Sequence, residues 1–178
     1  MNRRTLRRWP SLPLALLAVA LLAGCATTPG GADAQWLRET RDRAEIEALM
    51  WRYVRALDRY DGAAYAATFT LDGRFTAGTM NASGTAALQA MIDGLRARRD
   101  ERVARGEPSG PMHHIITNST LEFQDRDHAR LNAYWMTVFE GAPGGATPRV
   151  AAAGRSVDEL ARVNGRWLIR ARDVAPQD

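Results

Sequence analysis

The spacing of apolar residues changes once along this chain, near residue 111, and that change limits the folds open to it. Before it, Ile46, Leu49, Met50, Tyr53 and Leu57 recur at i, i+3, i+4, i+7 and i+11, the stripe of an amphipathic helix. After Pro108-Ser109-Gly110-Pro111 the chain reads as strands over 112–123, 129–140, 150–163 and 166–174. A polar turn at 124–128 and a Gly/Pro-rich loop at 141–148 separate the first three. Asn164-Gly165 joins the last two, and this pair is the strongest short hairpin signal in the chain. Helices first and a meandering sheet afterwards predict an α+β fold.

The helical part has its own punctuation. Asp42 followed by Glu45 is a capping-box spacing, which predicts that the first helix starts at Asp42. Asp61-Gly62 ends it, and Asp61 is placed to cap a short second helix through Phe69. A turn at 71–74 leads into a short strand at 75–79. Ser83-Gly84-Thr85 opens a third helix with Leu88, Ile92 and Leu95 on one side, and its arginine-rich end at 96–106 reads as a solvated face.

The first 25 residues are of another kind. Arg3, Arg4, Arg7 and Arg8 precede an apolar stretch at 12–23, too short to span a bilayer but right for the core of a signal peptide. It closes on Leu22-Ala23-Gly24-Cys25, which resembles the lipobox of bacterial lipoproteins. The resemblance implies cleavage before Cys25 and acylation of its thiol and new amine, with two or more acyl chains anchoring stably where one would not. Ala26 in the next position favours, by the same resemblance, the periplasmic face of the outer membrane. The expected organisation is a lipoprotein signal peptide at 1–24, a flexible tether at 25–40 and one domain at 41–178. Cys25 is the only cysteine, so no internal disulfide or thiolate metal cluster can form. The formal charge of +4 comes from the leader: the four arginines there have no acidic counterpart, and without them the chain is balanced. That argues against a nucleic-acid partner, which needs a clustered basic footprint.

Several motifs, in order, resemble the SnoaL-like branch of the nuclear transport factor 2-like superfamily, which includes scytalone dehydratase, polyketide cyclases and ketosteroid isomerase. They are Tyr53, Leu57, Asp58 and Asp61; then Phe69, Asp72, Gly73 and Phe75; then His113-His114 through Asn118. Gly154, Ser156, Asp158, Leu160 and Arg162 follow, and Asn164-Gly165-Arg166-Trp167 closes the series. The resemblance implies a cone: a strongly curved antiparallel sheet packed with about three N-terminal helices, its open end a pocket. It also implies that Asp58, at the end of the first helix, pairs with His114 on a strand. Fold alone does not fix an activity in this superfamily.

The residues give chemistry to the same pair. A carboxylate in an apolar interior needs a partner. An imidazole supplies one and keeps its second nitrogen for moving protons near neutral pH. Strand alternation puts His114, Ile116 and Asn118 on one face and His113, Ile115 and Thr117 on the other. Alternation does not say which face lines the pocket; the family resemblance selects His114. Tyr53, Asn118, Trp135 and Phe139 are the further ligand-binding candidates, an aromatic wall suited to a small hydrophobic or ring compound. Asp58 as a plain helix terminator and His114 as a satisfied core histidine are the competing readings. Asp158 and Arg162 read as a cross-sheet polar pair, Trp167 as packing and His128 as an exposed turn residue.

Departures from the family pattern argue against scytalone as substrate. Ser156 stands where many relatives carry an aromatic, and Ala133 and Tyr134 occupy the region of the dehydratase's second histidine. Three histidines without ligand spacing predict no metal, and no phosphate or dinucleotide fingerprint calls for a cofactor. The expected function is a cofactor-independent lyase or isomerase with an Asp–His dyad. The alternative is a non-catalytic ligand-binding or accessory lipoprotein. A homodimer is expected in either case.

Overall fold

The first helix sets the frame for the site and is longer than its capping box suggested. The computed structural model describes residues 30–107, 110–141 and 147–176. The signal peptide and Cys25 lie outside the described residues. Helix α1 runs Gly31–Asp58 and α2 Gly62–Ala66, followed by strands β1 (Phe69–Ala77) and β2 (Met80–Ser83). Helix α3 (Thr85–Ala104) precedes β3 (Met112–Phe123), β4 (His128–Phe139), β5 (Arg149–Val163) and β6 (Arg166–Asp173). The chain divides into two units after Leu37, and the core and the candidate site belong to the second, from Arg38 onward.

The helical residues 31–40 replace part of the expected tether. No Gly or Pro interrupts the chain from Ala32 to Asp58, and Ala, Gln, Leu, Arg and Glu there are good helix formers. Asp42 is therefore inside α1 and caps nothing; its carboxylate meets the Arg162 guanidinium of β5 instead. The second helix starts as expected, with Asp61 Oδ1 accepting from Ala64 N at 2.9 Å.

All six strands form one curved sheet in the order β2-β1-β6-β5-β4-β3. Neighbours are antiparallel except β1 and β6, which run parallel, so the sheet is mixed where an all-antiparallel one was expected. The strand expected at 75–79 starts earlier, at Phe69. The Asn164-Gly165 turn is present, with φ of 51° and 76° as a type I′ turn requires.

Four register shifts interrupt the pairing among the described residues, one between β1 and β6 at Phe69–Arg74 and three that set which side chains of β3, β5 and β6 face inward. In β3 two residues, Asn118 and Ser119, stand opposite Ala133 alone. In β5 one extra residue falls between the partners of Thr137 and Val138. In β6 a shift between the partners of Glu159 and Leu160 moves the pairing along by one.

The core lies between the inner sheet face and the helices. Ile46, Leu49, Tyr53 and Leu57 of α1 and Leu88 and Ile92 of α3 are buried with Leu131, Leu160, Trp167 and Ile169 of the sheet. β3 is an edge strand, a place where unpaired backbone groups invite unwanted pairing. Side chains of α1 occupy it at two points. Asp58 Oδ1 accepts from His114 N at 2.9 Å, and Arg43 Nη1 donates to Leu121 O at 3.3 Å.

Candidate active site

Asp58 is the last residue of α1, and the chain turns sharply after it through Tyr60, at φ 55°. Arg96 of α3 fixes that turn by donating to Tyr60 O through Nε at 3.0 Å and Nη2 at 2.6 Å. The turn leaves the Asp58 carboxylate against the start of β3. Its Oδ1 lies 2.8 Å from His114 Nδ1, in addition to accepting the His114 backbone N–H. In a neutral imidazole, a carboxylate acceptor beside Nδ1 places the ring proton there and leaves the lone pair on Nε2. Nε2 has no hydrogen-bond partner among the described residues.

His114 lines a cavity of about 410 Å³, with Tyr53, Ile116, Trp135 and Thr137 on the same walls. His113, one residue earlier, points the other way, and its Nε2 meets Glu140 Oε1 at an exposed position. A wider groove of about 890 Å³ runs between α1 and β3, past the exposed Trp51 and Ile115, and reaches His114 too. The smaller cavity is the candidate site, because Tyr53 and Trp135 converge there with the imidazole.

Trp135 is held rigidly. Its Nε1 donates to the carbonyls of Arg155 and Val174, both at 3.0 Å. The indole lies flat on β5 because Gly154 faces it; a Cβ there would stand 3.0 Å from the ring. Tyr53 belongs to an aromatic group with Tyr65 and Phe69, its ring centroid 5.1 Å from that of Tyr65. The Tyr65 hydroxyl donates to Tyr53 Oη at 3.5 Å, which leaves the Tyr53 hydroxyl proton available to a ligand. Burial pushes the Tyr65 hydroxyl pKa well above its ordinary value, and the neighbouring Tyr53 adds to the shift.

Two expected ligand-binding residues are elsewhere. Asn118 falls on the β3 bulge at φ 50°, exposed, with its amide oxygen taking Thr117 Oγ1; the bulge breaks the alternation that had aligned it with His114. Phe139 shares the inner face with Trp135 but lies beyond Thr137, opposite Met112 and outside the cavity lining. The Arg149 guanidinium covers its ring at 4.9 Å.

The sequence reading missed Arg172. It lines the cavity floor with its guanidinium 4.6 Å from the Tyr53 ring. Its Nη1 donates to Asp158 Oδ2 at 2.6 Å, the two side chains being 2% and 0% exposed. Arg162, expected to pair with Asp158, lies over Trp167 and meets Asp42. Complete burial pushes the Asp158 carboxyl above the usual carboxylate range, and Arg172 offsets this only in part. Burial works against the Arg172 charge as well, yet Asp158, Tyr53 and Tyr65 together outweigh it and hold the pKa above the ordinary value. Asp158 Oδ1, Arg172 Nε and the nearby Ser156 Oγ have no hydrogen-bond partner among the described residues.

The sequence profile of the SnoaL-like domain matches residues 38–173. No curated protein sequence matches the chain significantly. Among solved structures, a single-substitution variant of Rv3472 from Mycobacterium tuberculosis, a protein of unknown function, is 26% identical with a TM-score of 0.64, over 83% of this chain and 76% of that one. An NTF2-like protein with a cystatin-like fold from Novosphingobium aromaticivorans is 24% identical with a TM-score of 0.68, over 86% and 93%. A candidate scytalone dehydratase from the same organism is 19% identical with a TM-score of 0.61, over 76% and 84%. The last two likenesses concern the fold alone.

Proposed function

Because the chain belongs to the SnoaL-like domain family, we propose that its cavity takes a small hydrophobic, ring-containing compound and that His114 moves one of that compound's protons. The reaction class is a cofactor-independent lyase or isomerase. One observation carries the reading: an imidazole on an apolar cavity wall has one nitrogen engaged by a carboxylate and the other unpartnered. Asp58 is the positioning residue, setting the tautomer and stabilising the imidazolium that forms. Nε2 takes a proton from a carbon next to a carbonyl, and the electron pair moves into an enolate, whose oxygen accepts from the Tyr53 hydroxyl. In a lyase, the pair then expels a neighbouring hydroxyl, which leaves as water with the proton from Nε2. In an isomerase, the same proton returns to a different carbon.

Turnover of a panel of hydroxylated cyclic ketones tests this. His114→Ala is expected to lower kcat by about 10²–10⁴, the range for a positioned acid–base group. Unchanged turnover in that variant ends the catalytic assignment, and ligand binding without turnover favours a binding module.

Two further parts of the reading rest on other observations. The Leu22-Ala23-Gly24-Cys25 motif supports a lipid anchor at the periplasmic face of the outer membrane. Metabolic labelling with palmitate is expected to mark the wild type and not Cys25→Ala. Ile115, Tyr134 and Val150 leave apolar side chains exposed on the outer sheet face, which supports a homodimer through that face. A monomer in sedimentation velocity overturns that part.

A further inference from the structure

Apart from His114 Nε2 and the Tyr53 hydroxyl, already assigned to the chemistry, and the small hydroxyl of Thr137, the cavity lining is apolar or paired except for one charged side chain. Arg172 is neutralised by Asp158. Trp135 Nε1 is taken by two carbonyls. Arg98 of α3 lines the cavity as well, in the helical series Met91, Leu95, Arg98. It is exposed, and among the described residues it has neither an ion-pair nor a hydrogen-bond partner. Of the other arginines near this end of α3, Arg96 meets Asp93, Arg99 meets Asp100 and Arg105, just past the helix, meets Glu107; Arg102 is likewise without such a partner among the described residues but lies outside the cavity lining. The Arg98 side chain folds back along α3 over Gly94, its Nη1 3.5 Å from where a Cβ would stand. The guanidinium therefore lies along the helix that carries Met91 and Leu95 to the cavity, with its donors unused.

We propose that the ligand is an amphipathic carboxylate, its apolar body inside the cavity and its carboxylate on the Arg98 guanidinium at the mouth. This rests on the reading of the cavity as a small-ring site and adds the charge its ligand carries. A guanidinium presents paired donors that match a carboxylate's two oxygens. Opposite the anion, the apolar walls take up the ring, with Met80 and Met91 as adaptable side chains near it. A neutral ring compound would leave the guanidinium with water and gain nothing from it.

The test uses the full-length protein in mild detergent and two probes of one shape, 2-naphthoate and 2-naphthamide, titrated by naphthalene fluorescence. Wild type is expected to bind the carboxylate about fivefold more tightly than the amide, the scale of a partly exposed ion pair. Arg98→Gln is expected to abolish that preference while leaving amide affinity unchanged, and Arg98→Lys to keep part of it. Equal affinity of wild type for both probes overturns the charge assignment and leaves the ring site standing. An Arg98→Gln variant that retains the preference does the same. If neither probe binds, or if both bind unaltered when Trp135 is replaced by Ala, the ring-site reading falls and this proposal falls with it.

Discussion

Replacing Asp158 by asparagine tests the energetics beneath the cavity. The amide would keep the shape and one acceptor, but the Arg172 charge, 2% exposed, would lose the carboxylate 2.6 Å away. Removing one partner of a buried ion pair costs about 3–5 kcal/mol, since the other charge stays desolvated. In a domain of this size about 1 kcal/mol corresponds to roughly 3–4 °C in Tm, so the fall should be about 10–20 °C. The pair itself is not an optimal one. Asp158 Oδ1 and Arg172 Nε lack partners, and burial resists ionisation of both groups. Replacing both side chains by apolar ones, as in Asp158→Leu with Arg172→Met, should therefore recover most of the loss. Thermal and urea unfolding of the three proteins provide the comparison. A single variant within about 1 kcal/mol of wild type, or a double variant no better than the single, would refute the reasoning.

Leu49→Ala removes a fully buried side chain at the α1–sheet contact and should cost about 2–5 kcal/mol in urea unfolding. Gly154→Ala sets a methyl 3.0 Å from an indole pinned by two hydrogen bonds; a loss of about 1–3 kcal/mol and a shifted tryptophan emission are expected. Stability should fall as pH rises above about 10, because the unfolded chain releases the Tyr65 proton there while the native state retains it. Urea midpoints from about pH 8 to 11.5 should show that decline, and Tyr65→Phe should make it shallower.

The sequence revealed most where a single local rule decided the outcome. The Asn164-Gly165 turn, the Asp61 cap and the stripe from Ile46 to Leu57 each follow from backbone preference or periodicity, and each is present. Asp58 and His114 were legible through their place in the family pattern and the need of a buried carboxylate for a partner; they meet at 2.8 Å. Errors arose where strands slip by one residue. Counting back from the Asn164-Gly165 turn puts Asp158 opposite Ala171, but the shift beside Glu159 puts it opposite Arg172. Nothing in the composition of that stretch announces the shift. The bulge at Asn118 was more readable, since asparagine is among the few residues that accept a positive φ. The start of α1 was misplaced because Asp42 and Glu45 serve a distant arginine, a contact that chain spacing does not reveal.

A single oxygen, Asp58 Oδ1, grips both the imidazole and the main-chain amide of one residue. Helix end, strand margin and catalytic candidate are thereby fastened by the same clasp, and none can loosen alone. The slow or fast exchange of one deuterium, on the His114 amide, would thus report whether the site is armed, before any substrate is known.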